Sequence, residues 1–276
     1  MVVMVGGAKQ LIGGMPMVGT NKALGQHWLK NRQILDQIAD LAANGSAYAS
    51  SEKTMMNSGS VCLEIGPGLG TLTSSLLRRF SKVIAVEYDE RLAINLPKSF
   101  PGKNLEVING DILQFDFDTI EGEYSVAGNI PYYITSPIIE KLLTVPNLPK
   151  RIVLLIQKEV AERIVSDKET GLSLFVKNRA KVFAGPIVPR KEFTPPPKVD
   201  SEVIVMEPHA PIVDEKVFDL IRKGFSAPRK KLIHNLSAMA SENKIKETLV
   251  KININPNSRP EDLHLLDWQK LFLELK

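Results

Sequence analysis

Apolar residues Ile34, Leu35, Ile38 and Leu41 recur at helical spacing, which places one apolar face on a helix over residues 31–43. The small and polar residues of 44–60 then break the pattern and read as a loop. Beyond it, short continuous apolar runs alternate with helical patterns. Strands are predicted over 60–65, 82–87, 105–108, 124–127 and 151–157. Helices are predicted over 71–80, over 90–99 with an interruption near Pro97, and over 137–143 and 159–165. Strands separated by helices cannot pair as simple hairpins, so the fold class is α/β with a largely parallel sheet.

The character changes after Phe183. A proline-rich stretch, Phe193-Thr-Pro-Pro-Pro-Lys-Val, leads into an alternating strand over 201–206, and Glu207-Pro208-His209-Ala210-Pro211 reads as a hinge. From 214 to 276 the pattern is helical, with Val217, Leu220, Ile221 and Phe225 spaced for one face. The predicted organisation is therefore a loosely ordered tail over 1–20, with Met15 or Met17 close to the folded part, a large α/β domain over 21–208, and a small helical domain over 209–276.

Composition narrows the class without naming it. Hydrophobic residues at 43% and charged residues at 24% are ordinary for a globular protein. A single cysteine, Cys62, inside an apolar run, allows no disulfide framework or thiolate metal site and suits a reducing cytoplasm. No metal is assigned, because His209, His234 and His264 lack ligand spacing. The tail lacks the layout of a signal peptide, and nothing in the chain approaches a membrane span. The net charge of +4 is small, but its distribution is not even. Arg222, Lys223, Arg229, Lys230 and Lys231 form one basic run without an acid. Lys177, Arg179, Lys181, Arg190, Lys191 and Lys198 form a second, opposed only by Glu192. A solvated face is the simplest reading of either run; a polyanionic partner is the alternative.

The candidate chemistry begins at Leu63-Glu64-Ile65-Gly66-Pro67-Gly68-Leu69-Gly70, after a strand and before a helix. Glycines there let backbone approach a ligand closely. Glu87 ends the next strand 21 positions after Gly66 and can accept both hydroxyls of a ribose. These two features fit a nicotinamide dinucleotide and S-adenosylmethionine equally well. Asn109-Gly110-Asp111-Ile112 adds an acid at the third strand's end, able to accept from an adenine amine. Asn129-Ile130-Pro131-Tyr132 after the fourth strand has no use in nicotinamide chemistry. It suits methylation of an exocyclic amine on a flat ring. The Asn129 carbonyl and a backbone carbonyl of the turn can accept the two N–H bonds and aim the nitrogen lone pair, and Tyr132 offers a stacking face. Tyr133 is read as a packing residue, and Trp268 and Leu265 as core.

Gly25-Gln26-His27-Trp28-Leu29, the glycine motif, Glu87, Gly110-Asp111-Ile112-Leu113, Asn129-Ile130-Pro131-Tyr132-Tyr133-Ile134 and Phe193-Thr-Pro-Pro-Pro-Lys-Val-Asp-Ser occur in order. Together they resemble the rRNA adenine N6,N6-dimethyltransferases of the KsgA type, from about Thr20 to the C-terminus. The resemblance implies a Rossmann-like class I methyltransferase sheet with a small C-terminal helical domain and S-adenosylmethionine as cofactor. It implies that a monomer dimethylates two neighbouring adenosines near the 3′ end of small-subunit (16S) rRNA in an assembling 30S particle, by direct displacement. It places His27 and Leu29 at the cofactor's entrance, with Gly66 beside its methionine part. Glu87 would lie on its ribose, Asp111 at its adenine and Asn129 between cofactor and target. Tyr132 and Phe193 become two aromatic walls around the flipped base, and the basic run from Arg222 to Lys231 grips RNA, making binding salt-dependent. Trp28 departs from the family's usual Phe, and the 44–60 loop is longer than typical. Two rival readings share this fold: a methyltransferase of the antibiotic-resistance type acting on large-subunit (23S) rRNA, and an RNA-binding assembly factor without catalysis.

Overall fold

A computed structural model describes residues 26–44 and 60–276. The tail at 1–20, Gly25 and all but the ends of the 44–60 loop lie outside the described residues. A seven-stranded sheet dominates the fold, made of β2 (Val61–Ile65), β3 (Lys82–Glu87), β4 (Leu105–Asn109), β5 (Tyr124–Asn129), β6 (Arg151–Gln157), β7 (Ala180–Val188) and β9 (Ser201–Pro208). The spatial order is β4-β3-β2-β5-β6-β9-β7. The first five strands are parallel, while β9 runs antiparallel to both β6 and β7. A separate ribbon pairs β1 (Trp28–Leu29) with β8 (Phe193–Thr194), joining the start of the described chain to the proline-rich segment.

The near-continuous apolar runs of β2, β3, β5 and β6 follow from burial on both faces, since helices cover each side. One face packs under α1 (Arg32–Asn44) and α2 (Thr71–Leu76), using Leu35, Ile38, Leu72 and Leu76 against Cys62, Val83 and Val153. The other packs under α4 (Thr135–Leu142) and α5 (Lys158–Val165) through Ile138, Ile139, Leu142 and Ile164. Between β3 and β4 lies α3 (Glu90–Asn95), N-capped by Asp89, whose carboxylate accepts from Arg91 N; Pro97 then tightens the chain into a 3-10 turn over Leu96–Ser99. That is the interruption expected there.

Two of the longer elements have no counterpart in the sequence pattern. Helix α6 (Gly171–Arg179), started by a Thr170–Ser173 capping box, shows no single apolar face because it is buried on two sides. Val176 enters the sheet core, whereas Leu174 enters a third core. Strand β7 carries Gly185-Pro186. Here the pair sits at a register shift between Ala184 and Ile187 on an edge strand, where proline's missing donor is tolerated.

The third core gathers α7 (Glu215–Gly224), α8 (Leu232–Asn235), α9 (Glu242–Lys251) and α10 (Leu265–Leu275) around Trp268, Leu220, Leu249 and Leu271. The segment read as a hinge is tied down. His209 N donates to Arg179 O at 2.7 Å, and Asn178 Oδ1 accepts from Ile212 N and Val213 N at 2.9 and 2.8 Å. Arg179 and Lys177, counted within the second basic run, also prove structural. Arg179 is buried, stacks on Phe175 and Phe218 and pairs with Glu215, and Lys177 pairs with the buried Glu169 at 2.9 Å.

Candidate active site

The chain leaves β2 toward β3 and β4 on one side of the sheet, and leaves β5 toward β6 on the other. At such a switch point the connections diverge and a crevice opens outside the strands' carboxyl ends. A cavity of about 270 Å³ lies there, with Gly66, Glu87, Asp111, Asn129, Pro131 and Tyr132 in its lining. The motifs after β2, β3, β4 and β5 thus converge because all four strands end at the same edge.

Gly66 has φ +63°, and its N–H donates to Val86 O at 3.0 Å. A Cβ built on it would meet no atom within 4 Å, so the loop offers bare backbone to open space. Gly68, at φ +57°, lies under the Trp28 indole: a Cβ there would stand 3.2 Å from the Trp28 Nε1 atom. Glu87 is buried, and burial pushes its carboxyl above the usual range against the pull of backbone N–H donors. One oxygen accepts from Gly68 N at 3.0 Å and the other from Asp89 N at 2.8 Å. Each oxygen retains a further lone pair for a pair of hydroxyls. Asp111 Oδ1 accepts from Leu113 N at 2.9 Å, which fixes the side chain and leaves the second oxygen for a ligand. Tyr88, which the sequence reading passed over, also lines the cavity and is largely exposed.

Below the glycine loop, Glu64 is 1% exposed, with Thr73 beside its carboxyl as the donor that favours the charged form. Burial, with some help from the charge of Glu87, raises its pKa to about 8. It is therefore largely a neutral acid at neutral pH.

The decisive geometry is at Asn129. Its Nδ2 donates to the His27 backbone carbonyl at 2.8 Å. A carbonyl can only accept, so the amide orientation is fixed and Oδ1 is the group left for the cavity. In the turn that follows, Pro131 O accepts from Ile134 N and Tyr132 O from the Thr135 hydroxyl. The Ile130 carbonyl has no partner among the described residues. Two acceptors therefore stand next to each other in the chain, as an amine with two N–H bonds requires.

Tyr132 is held by its hydroxyl, 2.7 Å from Ser201 Oγ, and its ring lies nearly parallel to the His27 ring at a centroid distance of 6.1 Å. Burial raises its pKa. His27 Nδ1 in turn meets the Pro195 carbonyl at 2.8 Å. The proline-rich segment thus reaches the site through Pro195 and Ser201. Phe193 does not line the cavity: it is 2% exposed, pairs with Leu29 in the β1–β8 ribbon and packs with Leu35 and Val203. The wall expected of it is a core position, because alternate residues of a short strand point to opposite faces. Leu29 is likewise a core residue outside the lining, while its neighbours His27 and Trp28 line the cavity. Tyr133, expected to pack, is 65% exposed at the cavity's rim.

The five cations Arg222, Lys223, Arg229, Lys230 and Lys231 are all exposed, at the end of α7 and in the turn before α8. Arg222 pairs with Asp219, and Lys231 Nζ donates to Asn257 at 2.7 Å. The other three have no side-chain partner among the described residues.

Comparison with known proteins settles the family. The model for ribosomal RNA adenine dimethylase matches residues 17–276. The chain belongs to this family. It is 38% identical over 276 residues to a ribosomal RNA small subunit methyltransferase A of Nostoc sp., covering 92% of this chain and 97% of the relative. Its namesake from Rippkaea orientalis is 38% identical over 268 residues, covering 90% and 94%. Among solved structures, a dimethyladenosine transferase from Plasmodium falciparum matches at 30% identity and a TM-score of 0.70, covering 89% and 96%. The 23S rRNA methyltransferase ErmE matches at 23% identity and a TM-score of 0.68, covering 90% and 99%, which is a likeness of fold. The mixed seven-stranded sheet is that of class I methyltransferases, as the motif order led us to expect.

Proposed function

We propose that this family member transfers methyl groups from S-adenosylmethionine to the N6 amine of adenosines in small-subunit rRNA, two on each of two adjacent adenosines near the 3′ end. The reading rests above all on the Asn129 amide, which is turned so that its carbonyl is presented to the cavity beside the Ile130 carbonyl. The names of the curated relatives support the choice of subunit.

The cavity suits the cofactor: the bare Gly66 backbone leaves space that a Cβ would intrude on, Glu87 presents a carboxylate for a diol, and Asp111 an acceptor for an adenine amine. When bound, S-adenosylmethionine supplies an electrophilic methyl group on a sulfonium. The protein's part is positioning. Asn129 Oδ1 and the Ile130 carbonyl accept the two N–H bonds of the target amine and direct its lone pair, and the Tyr132 ring supports the base. Proline at 131 fixes the turn that carries both. The neutral amine attacks first and releases its proton afterwards, so no strong general base is required.

The exposed cations Arg222, Lys223, Arg229, Lys230 and Lys231 are assigned to phosphate contacts, on a helical domain that begins after Pro208. No described helix is long and apolar enough to cross a membrane. We place the enzyme in the cytoplasm as a monomer acting on an assembling 30S particle. Isolated 30S and 50S subunits incubated with labelled cofactor, followed by mass spectrometry of nuclease-digested rRNA, test the whole reading. Dimethyladenosine in 30S rRNA is expected; incorporation confined to 50S would overturn it.

A further inference from the structure

The two tyrosines of the Asn129–Ile134 motif are in different situations. Tyr132 is engaged on both counts, by the Ser201 hydroxyl and by the His27 ring. Tyr133 lines the same cavity, is 65% exposed, and has neither hydrogen bond nor ring contact among the described residues. Both sit on the 3-10 turn Tyr132–Ile134. With three residues per turn, successive side chains point about 120° apart, so the two rings cannot grip one and the same base. The turn is anchored by Pro131 before it and by α4 directly after it, with the Thr135 hydroxyl bonded to Tyr132 O at 3.1 Å. Tyr133 is thus an aromatic face on a rigid mount, displayed to solvent at the mouth through which a substrate base must pass.

We propose that Tyr133 stacks on the unpaired nucleobase flanking the adenosine being methylated, so that the enzyme engages a two-base step and not a lone adenosine. The inference rests on the RNA-methylating function proposed above. Tyr88, the other largely exposed tyrosine of the lining, follows Glu87 at the ribose end and so belongs to the cofactor's side. Stacking suits this position because every base offers a π face, which makes the contact tolerant of base identity but dependent on the flanking base being free of its own stack.

Tyr133→Leu, Tyr133→Phe and the unaltered protein are compared on 30S subunits, together with cofactor affinity by calorimetry. The Leu variant is expected to raise KM for the particle about tenfold, within the range that loss of one base–aromatic stack produces. Its kcat and cofactor affinity should change less than about threefold, and Tyr133→Phe should restore KM. An unchanged KM, an equal defect in the Phe variant, or a loss confined to kcat or to cofactor affinity would overturn the inference alone. Absence of rRNA methylation by the unaltered protein overturns the functional reading and this inference with it.

Discussion

The Asn129 side-chain amide donates to the His27 backbone carbonyl at 2.8 Å, and that bond determines which end of the amide faces the cavity. Replacing Asn129 by Asp keeps the shape but removes the donor and sets a carboxylate oxygen against a carbonyl. The side chain must then rotate or move off its position, and the acceptor pair for the amine is lost. We expect kcat for methyl transfer to 30S rRNA to fall about 10²-fold or more, as misplacement on the scale of 1 Å does. Single-turnover transfer rates measured beside cofactor affinity separate this from a simple loss of cofactor.

Tyr132→Phe keeps the stacking ring and removes only the bond to Ser201, whose hydroxyl lies fully buried and would lose its partner. A stability loss of about 1 kcal/mol is expected, with a kcat reduced by no more than a few-fold. Tyr132→Ala, which removes the ring, should abolish detectable transfer. Thermal unfolding and methyl incorporation on the same two variants check the contrast; a Phe variant as inactive as Ala would give the hydroxyl, and not the ring, the main role.

Legibility in the sequence tracked how local each signal was. The sheet and the convergence of Gly66, Glu87, Asp111 and Asn129 could be read because each lies at or just after the carboxyl end of a strand that the local pattern marks, by a near-continuous apolar run in β2, β3 and β5 and by the apolar residues Leu105, Val107 and Ile108 in β4. Helix α6 could not, since Leu174 and Val176 serve two different cores and erase the single apolar face. The motif reads Phe193 as a wall of the site and Tyr133 as a packing residue, whereas Phe193 is 2% exposed and Tyr133 is 65% exposed in the cavity lining. Burial of Phe193 depends on its pairing with Leu29, 164 positions earlier in the chain, and no local pattern reports such a contact. The Asn129–His27 and Tyr132–Ser201 bonds also join residues far apart in sequence, 102 and 69 positions.

Glu64 makes stability depend on pH in a definite direction. Its folded pKa of about 8 lies above the ordinary 4.5, so the folded state holds the proton more tightly than the unfolded one. Stability from this group is complete below about pH 4.5 and declines as pH rises toward 8. The total is on the order of a few kcal/mol. Glu64→Gln, neutral at every pH, should flatten that decline between pH 5 and 8 in urea titrations. A variant with the same pH slope as the unaltered protein would show that Glu64 is ionised in the fold.

Gly224 closes α7 directly against the core Trp268, and a Cβ there would lie 2.2 Å from the ring. Gly224→Ala must displace the indole or bend the helix end, at a cost of about 1–3 kcal/mol. Because Lys223 precedes it and Arg229 and Lys230 follow within the same turn region, the basic surface should shift as well. A lowered unfolding midpoint with weakened 30S binding is expected, and cofactor affinity should hold.

The unpaired cations allow a sharper test of RNA contact. Phosphate neutralisation releases counterions, so each lost contact lowers the slope of log affinity against log salt by about 0.7–0.9. Arg229→Ala combined with Lys230→Ala, both exposed and without side-chain partners among the described residues, should therefore weaken 30S binding and reduce that slope by about 1.5. Arg222→Ala should do less, because Asp219 already pairs with that guanidinium. Filter binding across a salt series measures both quantities. An unchanged slope in the double variant would return this run to the simpler reading of a solvated helix end, and would leave the RNA grip to other surfaces of the protein.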